Sequence, residues 1–220
     1  MKVRLIQKPI TDLEITKHLE AARSDAVGLV CFGELGGTGC LYQRRDVPSE
    51  EHWLDLSRTY PSLQIMIGAA VRRADGLHNS YLYLRNGQCQ AYDKINLFPG
   101  MGEDKVYLPG TIPTIWETPF GLTGITICYD VRFPELYVEL KRLGATTVLV
   151  PAAFPRVRIG DWNDLLVQRA RESSIRIVGI NSVGDDGTNL FGGSTAVIES
   201  DGTLRFRMND TGSVTIDFDV

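Results

Sequence analysis

Apolar residues recur along this chain in two rhythms: short continuous or alternating runs with the period of a strand, and spacings of three and four that mark one face of a helix. Residues 3–7 form the first strand-like run. Ile15, Leu19 and Ala22 follow at helical spacing, and 26–32 is too continuously apolar for a half-exposed strand. That run is expected to be buried on both faces, which leaves Gly33 and Glu34 at its carboxyl end. Ser49 ahead of Glu50, Glu51, Trp53 and Leu54 reads as a capped helix start, and 63–71 as the next strand. The runs 81–84 and 89–92 flank Asn86-Gly87, a pair that tolerates the positive φ angles of a tight hairpin.

The second half has a related pattern. Runs 112–118 and 122–127 resemble an antiparallel pair bent at 119–121, and Cys128 ends the second of them. Pro134 opens a helix whose face is Leu136, Leu140 and Leu143, and Gly144 stops it. Residues 146–150 read as a buried strand, Asp161 as the cap of a helix carrying Trp162, Leu165, Leu166 and Ala170, and 176–181 as a returning strand. Leu204, Phe206 and Met208, then Val214, Ile216, Phe218 and Val220, alternate with polar residues at period two. Strands and helices alternating in this way predict a layered α/β or α+β fold, and neither a linker nor a low-complexity segment divides it. A single domain over residues 1–220 is expected, a length ordinary for one α/β core.

Composition narrows the partners. A net charge of -4 gives no electrostatic footprint for nucleic acid. The first residues contain no apolar leader, and no run approaches the roughly 18 apolar residues of a spanning helix, so neither membrane insertion nor export is expected and the cytoplasm is. Four cysteines form no CxxC pair and are expected to be reduced thiols.

Cys128 carries the chemistry. It sits in GITICYDVRFPEL, where an apolar run meets a polar turn just before a helix start. A thiol of pKa about 8.5 needs a base or a positive field to act as a nucleophile. The three histidines, His18, His52 and His78, all precede it, so another group is expected to activate it. Glu34, closing AVGLVCFGE, and Lys94, closing QCQAYDK, end neighbouring strands and are the candidate partners. Taken singly, a cysteine packs as a small core residue and a strand-end Glu or Lys reaches solvent; the joint context favours a site. Cys31 reads as structural, and Cys40 as a neighbour of the pocket. GELGGTGC lacks the Lys-Ser/Thr of a phosphate loop, GDDGTN lacks the ligand series of a calcium loop, and neither a metal nor a cofactor is expected.

GELGGTG around Glu34, YDKINLFPG around Lys94 and ICYDVRFPEL around Cys128 together resemble, in order, the three catalytic segments of the nitrilase superfamily of carbon-nitrogen hydrolases. Glu103 in GEDKVYLPG resembles that family's additional active-site glutamate, and DWNDLLVQRARES, GINSVG and GGSTAVIESDG resemble its later helix and strands. The resemblance implies a four-layer α-β-β-α sandwich. It also implies a Glu34-Lys94-Cys128 triad, with Glu103 orienting Lys94 or the substrate amide and the Tyr129 N–H helping to hold an oxyanion. The expected reaction is hydrolysis of a small linear amide, carboxylate-bearing amides included, through a Cys128 thioester. The Cys segment is similar to the omega-amidase and deaminated-glutathione amidase branch. Tyr129, Arg132 and Phe154 are the expected substrate-binding residues, with Arg156 and Arg158 secondary; Arg132 has the alternative of a structural ion pair, and Glu103 that of a solvated loop acid. The helices after Pro134 and Asp161 resemble the family's interface, so a homodimer or higher homo-oligomer is expected, although the tail that many members add to dimer packing is absent after Val220. Two further classes stand beside the amidase: a catalytically silent relative that binds a metabolite or protein, and a nitrile-hydrolysing member. A glutamine-amidotransferase-like site would want a histidine after the nucleophile, which the sequence lacks.

Overall fold

The computed structural model describes residues 1–40, 47–208 and 212–219. The amino-terminal half runs β1 (Lys2–Gln7), α1 (Ile15–Ser24), β2 (Leu29–Phe32), α2 (Glu50–Thr59), β3 (Gln64–Arg72), β4 (Leu77–Arg85) and β5 (Gln88–Asp93). Then come β6 (Ile115–Thr118), β7 (Gly121–Ile125), α3 (Pro134–Arg142), β8 (Thr147–Ala152), α4 (Ile159–Ser173) and β9 (Arg176–Asn181). The chain closes with β10 (Val183–Asp185), β11 (Leu190–Gly192), β12 (Ala196–Ile198), β13 (Leu204–Arg207) and β14 (Val214–Asp219). One six-stranded sheet has the order β14-β1-β2-β3-β4-β5, a second has β13-β12-β9-β8-β7-β6, and β10 pairs with β11 apart from both.

Period two in the strands decides the layers. Leu5, Cys31, Met66 and Tyr81 of the first sheet pack with Ile125, Leu149, Val178 and Val197 of the second, so the sheets face each other across a shared core. The alternate residues Ile6, Val30, Phe32 and Ile67 point outward onto Leu19, Ala22, Trp53 and Leu56 of α1 and α2. Val148, Val150 and Ile177 do the same onto Leu136, Leu140, Trp162 and Leu166 of α3 and α4. The result is an α-β-β-α sandwich, as the sequence resemblance implies. β1, β2 and β3 run parallel, as do β7, β8 and β9, because α1–α4 supply the crossovers that parallel neighbours need.

Local signals read from sequence have identifiable partners. Ser49 Oγ accepts the His52 N–H at 3.3 Å, and the β4–β5 hairpin turns on Asn86 and Gly87 at φ 51° and 71°. Several boundaries move: β4 begins at Leu77, four residues before the expected run, and β6 at Ile115, three residues into its own. β2 begins at Leu29 because Ala26, at φ 53°, belongs to the turn leaving α1. β7 ends at Ile125, two residues short of the expected run. α4 begins at Ile159, so Asp161 is not its cap but its third residue, and its carboxylate faces Arg132 instead. Val220, last of the alternating positions, lies outside the described residues. Among the described residues no helix is long and apolar enough to cross a membrane.

Candidate active site

Four strand ends converge on one cavity. Glu34 follows β2 by two residues, Lys94 follows β5 directly, Ala153 follows β8 directly, and Cys128 lies three residues beyond β7. Between β7 and the cysteine, the Thr126 N–H donates to Leu149 O at 3.1 Å and prolongs the pairing to the neighbouring strand. Ile127 is extended, and Cys128 then adopts φ 45°, a left-handed conformation rare for a residue with a Cβ. A 3-10 turn over Cys128–Arg132 and the Pro134 start of α3 complete the elbow.

Asp130 holds that elbow in place. Its fully buried carboxylate accepts the Ile127 N–H at 2.9 Å and the Tyr92 hydroxyl at 2.8 Å on Oδ2, and the Asn96 N–H at 2.8 Å and Asn96 Nδ2 at 2.9 Å on Oδ1. One side chain thus ties the residue before Cys128 to the residue two beyond Lys94.

The turn after β2 presents Glu34. Leu35 takes φ 52°, the Gly36 N–H donates to Gly33 O at 3.2 Å, and the Gly37 N–H donates to Gly68 O at 2.9 Å. Gly68 on β3 makes this approach possible, since a Cβ there would stand 2.4 Å from Leu35 N and 2.6 Å from Gly33 O.

At the floor of the cavity Lys94 Nζ donates to Glu34 Oε1 at 2.8 Å and to Glu103 Oε2 and Oε1 at 2.8 and 3.0 Å. Asn79 Nδ2 donates to the same two carboxylates, at 2.8 Å to Glu34 Oε1 and 2.6 Å to Glu103 Oε1. Glu34 Oε2 accepts the Ala153 N–H at 2.8 Å, and Glu103 Oε2 the Phe98 N–H at 2.7 Å. Glu34, Lys94 and Glu103 are each no more than 4% exposed, so the solvated-loop alternative for Glu103 is excluded. Burial pulls the Lys94 ammonium down, but the charges of Glu34 and Glu103 outweigh it and hold it well above the ordinary lysine value. Burial raises the Glu103 carboxyl, with Lys94 opposing. Burial, then the negative charge of Glu34, push the Cys128 thiol well above its usual value, so at neutral pH it is protonated.

The cavity has a volume of about 230 Å³. Its lining contains the primary site residues expected from sequence: Glu34, Lys94, Glu103, Cys128, Tyr129, Arg132 and Phe154. The Tyr129 ring packs on Phe98 at 5.0 Å between centroids, making one apolar wall. Arg132 makes the structural ion pair, with Asp161 at 2.9 Å, while lining the cavity 5.7 Å from the Phe154 ring centre. Arg158 also lines the cavity; Arg156 is not among its lining residues. Cys40 borders the cavity, whereas Cys31 is buried within β2. Among the described residues no three His, Cys, Asp or Glu side chains stand together as a metal site.

Asn79 and Asp130 escaped sequence reasoning, although each left a signal. Asn79 continues the period-two face of Tyr81 and Tyr83 backward along β4, which places a polar side chain on the inter-sheet side. Asp130 stands three residues after Ile127, the spacing at which a side chain reaches back to a turn's first amide.

A four-layer sandwich with a cysteine elbow against a buried Glu-Lys-Glu cluster defines a class of hydrolase. The family model of the carbon-nitrogen hydrolases matches residues 6–218, and the chain belongs to that family, whose members cleave carbon–nitrogen bonds other than peptide bonds. Over the whole chain it is 27% identical to a hydrolase in the agr operon of Staphylococcus aureus, covering 92% of that protein. A deaminated glutathione amidase of Yersinia enterocolitica is 33% identical over 74% of the chain, and the match spans 62% of that relative's length. In fold, a nitrilase-superfamily protein of Saccharomyces cerevisiae superposes with a TM-score of 0.79 at 21% identity, covering 99% of this chain and 89% of the other.

Proposed function

We propose that these 220 residues act as a single-domain amidase that converts a small linear amide to its acid and ammonia through a Cys128 thioester. The observation that carries the assignment of roles is the distribution of donors over the two carboxylates. Both oxygens of Glu103 and Oε1 of Glu34 take two donors each, whereas Glu34 Oε2 takes one. Glu34 Oε2 is therefore the best available base. It removes the thiol proton as sulfur bonds to the substrate carbonyl carbon, and the carbonyl electron pair moves onto oxygen. Lys94 Nζ donates to three carboxylate oxygens, Glu34 Oε1 and both oxygens of Glu103; as Glu34 takes the proton and becomes neutral, the N–H that faced Glu34 turns to that oxyanion beside the Tyr129 N–H. Collapse of the intermediate breaks the C–N bond, and Glu34 returns its proton to the departing nitrogen, giving ammonia. Water then gives a proton to Glu34 and attacks the thioester; the C–S bond breaks, and the proton returns to sulfur.

A cavity of about 230 Å³ lies below the usual range for drug-sized ligands, which supports a short substrate. Arg132 and Arg158 on its lining support a substrate with a carboxylate at the end remote from the amide, in keeping with the Yersinia relative. A homodimer through α3 and α4 is part of this proposal; Val138 on α3 is 67% exposed, and light scattering at the monomer mass would remove that part.

The test is ammonia release from a panel of short amides, with and without a terminal carboxylate and beside the matching nitriles, by the parent and by Cys128→Ala. Release by the parent only, with an acyl adduct on its intact mass, is expected. Equal release by both proteins ends the mechanism, and preference for nitriles moves the chain to the nitrile-hydrolysing reading.

A further inference from the structure

Asn79 binds three members of the cluster at once. Its side-chain nitrogen donates one hydrogen to Glu34 Oε1 and the other to Glu103 Oε1, at 2.8 and 2.6 Å, and its backbone carbonyl accepts the Lys94 N–H at 2.9 Å. The residue is 1% exposed, on the inter-sheet face of β4, and does not line the cavity. Its own Oδ1 has no partner among the described residues. An unsatisfied buried acceptor is unfavourable, and turning the amide over would aim that oxygen at two carboxylates. The amide is held for its two donors.

Charge explains the demand. Glu34 and Glu103 place two negative charges on one ammonium, so one negative charge must be held in a buried place by neutral donors. Phe98 N–H serves Glu103, Ala153 N–H serves Glu34, and among the described residues Asn79 is the one neutral donor that serves both. Without it the carboxylates lose their common donor and repel each other, and the pair takes up a proton more readily. A protonated Glu34 has no use as a base. The other ionisable groups facing this pair are Lys94, Cys128 and Cys40, with Arg132 and Arg158 on the cavity lining. None of them bridges the two carboxylates as a neutral donor.

We propose that Asn79 is a positioning residue of this site, which fixes Glu34 and Glu103 side by side on Lys94 in their ionised form and leaves Glu34 Oε2 to receive the thiol proton. It rests on the reading of Glu34 as the base for Cys128. A polar residue placed there only for packing would, on removal, lower activity by one factor at every pH. A residue that keeps the carboxylates ionised leaves a different mark.

The experiment is the profile of kcat/KM between pH 5 and 9 for the parent, Asn79→Ala and Asn79→Ser, on the best amide of the panel, with Cys128→Ala as control. Asn79→Ala is expected to lose roughly 10- to 100-fold at the acid end, the worth of one hydrogen bond to a charged group, and to recover most of it as pH rises. Its acidic limb moves to higher pH. Asn79→Ser keeps one hydroxyl donor, and its limb moves less in the same direction; it also serves if the alanine variant does not fold. Parent-like activity, or a loss of one size at all pH values with the limb unmoved, overturns the proposal. If Cys128→Ala is inactive while the Asn79 limbs stay put, only the role of Asn79 falls. If Cys128→Ala retains activity, the underlying mechanism falls instead.

Discussion

Asp130→Asn is the most informative substitution outside the reacting groups, because it keeps shape and changes only what the two side-chain atoms accept. The carboxylate takes two donors on each oxygen: Ile127 N–H and Tyr92 hydroxyl on one, Asn96 N–H and Nδ2 on the other. An asparagine offers one oxygen and one NH₂ group. If the NH₂ replaces Oδ2, the Tyr92 hydroxyl can rotate to accept, but the Ile127 N–H is left facing a donor. If it replaces Oδ1, the Asn96 side chain can turn over, but its backbone N–H is left. At least one buried backbone donor is orphaned, at about 1–3 kcal/mol, and the surviving bonds lose their charge assistance. The total is about 2–5 kcal/mol, a large part of the roughly 5–15 kcal/mol that stabilises a domain. At about 2–4 °C per kcal/mol for a chain of this size, Tm falls by roughly 4–20 °C. The same change releases the residue before Cys128 or the segment after Lys94, so kcat/KM falls about 10- to 100-fold at temperatures where the variant is folded, mostly in kcat. Thermal melting by circular dichroism and steady-state ammonia release measure the two effects. A Tm within 1 °C of the parent, with kcat/KM within about twofold, refutes the view of Asp130 as the elbow's anchor.

Gly68→Ala tests the close approach under Glu34: its Cβ would meet backbone at 2.4–2.8 Å, so the Glu34 turn must shift, and activity should fall by more than about 100-fold with about 1–3 kcal/mol of stability. A fully active Gly68→Ala protein of parental Tm contradicts it. Lys8, 3% exposed, donates to the carbonyls of Asp12 and Gly36, and burial lowers its pKa to about 8. The unfolded chain, whose lysine stays protonated to about pH 10.4, binds the extra proton above pH 8, so the contribution of Lys8 to stability should rise with pH across that window by up to about 3 kcal/mol. Thiols raised by burial give both proteins an opposing slope, so urea unfolding between pH 7 and 10.5 should show a more positive slope in the parent than in Lys8→Met; equal slopes count against it.

Much of this molecule was legible because its residues act through local pattern. The uninterrupted apolar character of 26–32 and 146–150 reports strands covered on both faces, and those strands lie inside the two sheets. Glu34, Lys94 and Cys128 could be located because each closes such a run. Boundaries were less legible: Ala26 is apolar yet turns away at φ 53°, and Ile127 is apolar and extended but gives its N–H to the Asp130 side chain rather than to a neighbouring strand, neither of which hydrophobicity encodes. Asp161 has the chemistry of a helix cap, but Arg132, 29 residues away, binds its carboxylate. Asn79 and Asp130 were hidden for a similar reason. Their importance lies in partners 15 to 45 positions away in sequence, Lys94, Tyr92, Asn96, Glu34 and Glu103, and only the packed sheets bring those groups together.

The absence of a histidine after Cys128 is explained by where charge goes in the proposed reaction. A cysteine paired with imidazolium rests as a thiolate. Here two carboxylates share one ammonium, and burial beside Glu34 keeps the thiol neutral. Burial and the charge of Glu34 outweigh the Lys94 ammonium that would ionise sulfur in advance, so the proton must leave as the bond to carbon forms. When it reaches Glu34, that side chain becomes neutral and releases its hold on the Lys94 ammonium, at the same moment that the substrate oxygen becomes negative. Lys94 exchanges one anionic partner for another, Glu34 for the oxyanion, while Glu103 and Asn79 keep the ensemble aligned. The ammonium therefore binds the transition state more tightly than the ground state, in which its attraction is already spent on Glu34. A glutamate serves better than an imidazole for this purpose, because its protonation removes a negative charge beside Lys94 rather than adding a positive one.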